Sequence, residues 1–175
     1  MKVILIGFMA SGKTTVGRIL AENLQTVHFD LDRLLVLKTG QTVPELFLKR
    51  GESGFRKLEH ELLAEVLSRD GVLSTGGGTL LRPDNFQLLS QLKAPKIFLK
   101  VAVSTVLLRL TNDQQTTRPM IQKVGLRGLE KLERVREKQY RQLSDYEIVT
   151  DHLSAQQVAE LICQKFQLSR QLDNR

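Results

Sequence analysis

The chain has no tryptophan, two tyrosines and one cysteine among its 175 residues. With aromatics at 5%, platforms for stacking single-stranded nucleic acid are scarce. The net charge of +7, from 26 Lys and Arg against 19 Asp and Glu, therefore points to small polyanions and not to nucleic acid. Cys163 stands alone, which excludes an intrachain disulfide and suits a reducing cytoplasm. Its expected place is that of a small apolar residue in the last helix. No apolar run approaches the ~20 residues that a membrane span needs. The chain opens directly into a strand, so no signal or transit peptide is expected and the expected location is cytoplasmic. His28, His60 and His152 lack metal-ligand spacing. Neither a Ser-His-Asp arrangement nor Cys-x-x-Cys occurs, and the guanine-reading element N-K-x-D of switch GTPases is missing.

What is present begins at Gly7. Residues 7–14, Gly-Phe-Met-Ala-Ser-Gly-Lys-Thr, fit G-x-x-x-x-G-K-[ST]. An apolar run, Val3 to Ile6, precedes them, and a helical pattern from Thr15 follows. Strand, glycine loop and helix together form the context of a phosphate-binding loop. Backbone N–H groups of such a loop turn inward at a helix N-terminus, where the macrodipole already favours an anion. Lys13 can reach the β- and γ-phosphates, and Thr14 can offer its hydroxyl to Mg²⁺.

Strand patterns fall at residues 2–7, 26–29, 71–75, 96–101 and 147–150. Helical patterns fall at 14–24, 31–38, 43–49, 53–67, 83–91, 103–110, 126–143 and 154–168, with Gly51 as a break and 111–125 as a polar loop. This alternation predicts an α/β fold: one domain with a doubly wound, five-stranded parallel sheet. Ligands of such sheets sit at the carboxyl ends of the strands. Gly7–Thr14, Asp30/Asp32 and Gly76–Gly78 all fall there, which predicts one shared site.

Asp30 and Asp32, two apart in an extended chain, would point the same way, and two carboxylates so placed call for a cation or a donor between them. Mg²⁺ beside Thr14 would satisfy Asp30, leaving Asp32 for a substrate hydroxyl; the alternative is that Asp32 caps a helix starting at Leu34. In the basic helix, Leu129, Leu132, Tyr140 and Leu143 form an apolar stripe with Arg136 in its middle. Arg127, Lys131, Arg134, Lys138 and Arg141 gather opposite, as a solvated face. An inward guanidinium needs an anion, either an internal Glu or a substrate carboxylate. Arg56 and Glu59 can pair at i,i+3, making Arg56 a pre-aimed arginine at a cleft rim or simply a surface ion pair. Gly76, Gly77 and Gly78 offer bare backbone N–H groups to a ligand. Arg118 lies in the long loop, where a mobile lid would carry it onto transferring phosphate. Arg109, just before the loop, could stack on adenine or be an exposed helix arginine.

In this ordered set the chain resembles the shikimate kinase family over nearly its whole length. The residues that carry the resemblance are Gly7–Thr15, Phe29-Asp30-Leu31-Asp32, the run from Gly51 to Glu59, Thr75-Gly76-Gly77-Gly78, Arg118-Pro119, and Arg136 four residues before Tyr140. Ala10 departs from the pattern, standing where the family commonly has Gly. The resemblance implies a nucleoside-monophosphate-kinase-like fold with a core of about 1–30, 71–110 and 144–168, a substrate-binding segment of about 31–68 and a mobile lid of about 111–125. It implies phosphorylation of the 3-hydroxyl of shikimate by ATP with Mg²⁺. Lys13, Asp32 and Arg118 would be catalytic, and Thr14 and Asp30 would serve the metal. Ala10, Ser11, Gly12, Lys13, Thr14, Thr15, Arg109 and Arg118 would hold ATP. Asp32, Arg56, Gly76, Gly77, Gly78 and Arg136 would hold shikimate. The adenine-contacting region falls near 151–154, where the match is loose. A monomer acting on small molecules is expected, without nucleic acid or membrane partners. The rivals are another small-molecule kinase, such as a gluconate or nucleotide kinase, a nucleic-acid-binding ATPase, and an idle scaffold.

Overall fold

The computed structural model describes residues 1–112 and 119–169. Five short parallel strands form one sheet: β1 (Val3–Ile6), β2 (His28–Asp30), β3 (Val72–Ser74), β4 (Lys96–Lys100) and β5 (Tyr146–Val149), in the order β2-β3-β1-β4-β5. The seven helices of the described residues are α1 (Lys13–Asn23), α2 (Leu31–Thr39), α3 (Val43–Leu67), α4 (Pro83–Ser90), α5 (Val103–Asn112), α6 (Pro119–Leu143) and α7 (Ala155–Lys165). A short 3₁₀ turn, Thr79–Leu81, precedes α4. None is long and apolar enough to cross a membrane.

Strand alternation sorts β1 between two cores. Ile4 and Ile6 face Phe29, Leu62, Phe98, Leu129 and Tyr140, on the side covered by α3 and α6. Val3 and Leu5 face Leu20, Leu99, Val158 and Ile162, on the side of α1 and α7. All four β1 residues are fully buried, as parallel strands covered on both faces must be. The chain moves from β1 to one side for β2 and β3, then to the other for β4 and β5. The switch point therefore lies beside β1, and the loop leaving its carboxyl end is the one starting at Gly7.

Two long helices are pairs joined at a glycine. Gly51 (φ 67°, ψ 178°) interrupts α3, and Gly125 (φ 61°, ψ 178°) interrupts α6. A left-handed φ excludes most side chains, so the sequence marks both breaks with the residue that tolerates them. Within 111–125, where a polar loop is expected, the described residues belong to helices. α5 runs to Asn112, and the backbone is helical again from Pro119. Proline at the first helical position has its φ already set and no N–H to leave unpaired. Asp30 and Asp32 also differ from expectation. β2 stops at Asp30, whose carboxylate caps α2 by accepting from the Arg33 N–H at 3.1 Å. Asp32 thus sits in the first helical turn and not in extended chain, and the capping residue is Asp30.

Candidate active site

The site starts from an uncapped helix. α2, α3 and α7 each begin with a side chain that accepts from their first turn, Asp30, Thr42 and Ser154. α1 begins at Gly12 (φ 95°, ψ 7°) with no side-chain cap and no acidic residue in its first turn. Its leading N–H groups point into a cleft of about 440 Å³ at the carboxyl end of the sheet. That arrangement suits an anion and nothing else so well. Lys13, 8% exposed, folds back over the loop and donates to the Gly7 carbonyl at 2.8 Å and the Phe8 carbonyl at 2.7 Å. Its ammonium therefore stands over the same ring of N–H groups.

Ala10 holds φ 56°, a left-handed angle at a residue with a Cβ. Arg109 braces this point from α5. It donates to the Ala10 carbonyl at 2.8 Å and to the Thr150 carbonyl at 3.1 Å, tying the loop to the end of β5. Arg109 is half-buried and lines the cleft, so it is not an exposed helix arginine. Of the region near 151–154, Leu153 lines the cleft, whereas Ser154 caps α7. Asp151 joins β5 to α5 by accepting from Thr105 Oγ1 at 2.6 Å and the Ala102 N–H at 3.0 Å. Burial opposes its ionisation, yet these hydrogen bonds prevail and hold its carboxyl below the usual range.

Thr14, Asp30, Asp32, Thr75 and Gly77 line the cleft with the phosphate loop, including Ser11, Gly12 and Thr15. Thr14 Oγ1 donates to Asp30 Oδ2 at 2.6 Å. The hydroxyl proton is thereby committed to Asp30, and its lone pairs remain for a cation. One hydroxyl and one carboxylate, all oxygen, form the sparse donor set of an ion that keeps its waters and binds phosphate, which fits Mg²⁺.

Beyond the Asp32–Gly77 end lie two guanidinium groups that do not line the cleft. Arg56 pairs with the fully buried Glu59 at 2.7 Å and lies 5.1 Å from the Phe55 ring centre. Glu59 also accepts from Thr79 Oγ1 at 2.7 Å, and the fully buried Asn85 donates to the Thr79 carbonyl at 2.9 Å. The expected i,i+3 pair is therefore present, and it is buried rather than superficial. Arg136 is only 6% exposed, in the apolar stripe of Leu129, Tyr140 and Leu143, while Arg127, Lys131, Arg134, Lys138 and Arg141 are exposed. Its Nη1 donates to the Gly77 carbonyl at 3.0 Å, its guanidinium lies 5.6 Å from the Phe8 ring centre, and its Nε has no acceptor. No carboxylate of the described residues pairs with it. Burial lowers the pKa of Arg136, and the neighbouring Arg56 charge lowers it further, against the pull of Tyr140 and Glu52.

The three glycines have a use the sequence did not reveal. A Cβ on Gly78 would fall onto the Arg56 guanidinium. One on Gly76 would stand 2.8 Å from Glu59 Oε1 and 2.9 Å from Asp32 Oδ1. One on Gly77 would stand 3.2 Å from the Met9 nitrogen and 3.7 Å from Arg136 Nη1. Bare backbone is needed at Gly76 and Gly78 so that charged side chains can lie against it, and at Gly77 the close neighbour is the phosphate-loop backbone. Thr79, Asn85 and the Tyr140 hydroxyl, which donates to the Gly77 carbonyl at 2.5 Å, were missed by sequence reasoning. Arg118 lies outside the described residues.

A phosphate loop at the switch point of a parallel sheet, with cations waiting one strand away, defines an ATP-dependent small-molecule kinase of the P-loop class. The family model for shikimate kinase matches residues 9–167. The shikimate kinase of Enterococcus faecalis is 36% identical over 163 residues, covering 93% of this chain and 96% of that one. That of Limosilactobacillus fermentum is 40% identical over 163 residues, covering 93% of each. Among solved structures, shikimate kinase from Acinetobacter baumannii in complex with shikimate superposes with a TM-score of 0.82 at 36% identity, covering 94% of this chain and 92% of that one. Deoxyadenosine kinase from M. mycoides with bound dCTP gives 0.62 at 17% identity over 95% of this chain and 99% of that one, a likeness of fold alone. The chain belongs to the shikimate kinase family.

Proposed function

We propose that the chain transfers the γ-phosphoryl group of ATP to the 3-hydroxyl of shikimate, giving shikimate 3-phosphate and ADP. The observation that carries this reading is the state of Arg136. It is a buried guanidinium beside a second one, held by a neutral carbonyl, with an unmatched N–H and no carboxylate partner among the described residues. A charge kept in that condition is stabilised when an anion arrives. A substrate carboxylate clamped between Arg56 and Arg136 would anchor the ring, so that a hydroxyl faces Asp32 and the phosphate loop.

In this assignment Gly12, Lys13, Thr14 and Thr15, with Ala10 and Ser11, hold the phosphates. Lys13 swings from the loop carbonyls onto the β- and γ-oxygens. Asp32 orients the acceptor hydroxyl and accepts its proton. Gly76, Gly77 and Gly78 border the bound acid: Gly78 lets Arg56 lie on bare backbone, Gly76 does the same for Glu59 and Asp32, and Gly77 offers its carbonyl to Arg136. Arg109 steadies the loop and borders the adenine end. Thr14 and Asp30 hold Mg²⁺, which when bound supplies positive charge to the phosphate oxygens. Arg118, by the family resemblance, adds a lid arginine. The segments 31–68 and 111–125 serve as acid-binding element and lid around one core, in a cytoplasmic monomer.

The test is coupled ADP release with ATP and a panel of hydroxy acids and polyols. Turnover is expected with shikimate as sole acceptor, and size-exclusion chromatography should give a mass near 19.9 kDa. Turnover with gluconate or a nucleoside monophosphate in place of shikimate would reject the assignment while keeping the kinase class.

A further inference from the structure

α6 carries Arg136 and Tyr140 one turn apart on its buried face, 6% and 2% exposed. Their polar ends meet on one atom. The Gly77 carbonyl oxygen accepts from Arg136 Nη1 at 3.0 Å and from Tyr140 Oη at 2.5 Å, which uses both of its lone pairs. That peptide is a wall shared by the two halves of the site. It lines the cleft, its Cα lies close to the Met9 backbone of the phosphate loop, and its carbonyl oxygen supports the Arg136 guanidinium.

The two donors differ in stiffness. The Tyr140 ring is fully packed, 5.1 Å from the Phe98 ring centre with the planes at 36°, so packing dictates where its hydroxyl points. Burial raises the phenol pKa, so the hydroxyl keeps its proton through the working range. The Arg136 side chain is long and rotamer-rich, and its Nε is unmatched. A rigid donor beside a flexible one on the same acceptor fixes the acceptor first.

We infer that Tyr140 is a positioning residue for the acid acceptor. By holding the Gly77 carbonyl it sets the peptide on which Arg136 rests, and so the aim of that guanidinium, while touching neither substrate. The inference rests on the proposed function and specifies one device of that site.

The experiment is Tyr140→Phe in the full chain, which removes one hydroxyl and keeps the ring. Steady-state kinetics should show the KM for shikimate raised about five- to tenfold, the loss of one hydrogen bond of ordinary net strength. The KM for ATP and kcat should stay within about twofold. A lowered melting temperature with shikimate KM unchanged would mean a structural role and overturn the inference, as would equal rises in both KM values. Isothermal titration closes a cycle with Arg136→Lys. In that background, Tyr140→Phe should weaken shikimate binding less than about twofold, because the aim it secures is already lost. Full additivity would overturn the inference. Failure of the wild-type protein to phosphorylate shikimate would instead bring down the proposed function, and this inference with it.

Discussion

Replacing Arg136 by methionine separates what the residue does for the fold from what it does for the site. Methionine is close in length, apolar and adaptable in a core. In the unliganded protein, Arg136 contributes one charge-assisted bond to the Gly77 carbonyl and a contact with the Phe8 ring. These are worth about 1.5–3 and ~1 kcal/mol respectively. Against them stand several kcal/mol of desolvation for a buried ion and repulsion from Arg56. The terms nearly cancel, and the Gly77 carbonyl keeps the Tyr140 hydroxyl. The variant should therefore melt within about 4 °C of the parent, with any change upward. Shikimate binding tells the opposite story. Losing a buried bond between guanidinium and carboxylate costs about 3–4 kcal/mol, or roughly 10²–10³ in affinity. Differential scanning calorimetry and isothermal titration on the same preparation read both quantities. A melting temperature lowered by more than about 8 °C would make Arg136 a structural residue. Unaltered shikimate affinity would reject the carboxylate clamp.

Other perturbations follow from the same geometry. At Ala10 (φ 56°), Ala10→Gly should leave urea stability within about 1 kcal/mol, because relief of left-handed strain offsets the added freedom of the unfolded chain. Ala10→Val, with a branched Cβ at the same angle, should lose at least ~1 kcal/mol; a neutral result would mean the loop does not hold that angle. Gly78→Ala places a Cβ on the Arg56 guanidinium and should raise the shikimate KM tenfold or more with ATP KM unchanged, whereas a matching rise for ATP would contradict the division of the cleft. His28 donates to or accepts from Ser74 Oγ at 2.9 Å, and burial lowers its pKa from 6.5, against the pull of Asp30. In the window between that lowered pKa and 6.5 the unfolded chain binds more protons, so stability rises with pH there and is lost as pH falls. His28→Gln should flatten that segment of a denaturation curve taken from pH 7 to 5; an unchanged slope would assign it to another group.

Much of the fold follows local rules and was visible in the residue order. The strands are short apolar runs, Gly51 and Gly125 stand where helices break, and the phosphate loop is contiguous. The turn at Asp30 was harder, because an Asx cap and an extended continuation share the same residues, and only the helix hydrogen bonds decide between them. The stretch after Arg118-Pro119 resembled loop because proline favours both turns and helix starts. Arg136 was legible as an apolar-face anomaly, but its partner was not, since Gly77 lies 59 residues away in sequence. The same distance in sequence hid the bond from Arg109 to Ala10, 99 residues apart, and the chain from Asn85 through Thr79 to Glu59. Periodicity shows which side chains face inward. Which backbone atom waits there is set by tertiary packing.

The most direct test is product analysis by ³¹P nuclear magnetic resonance with ATP, Mg²⁺ and shikimate as the only acceptor. One phosphate monoester coupled to the carbon-3 proton of the ring should appear for each ADP released, and no ADP should form without shikimate. ADP formed at the same rate with shikimate left out, or a phosphate at another ring position, would contradict the account.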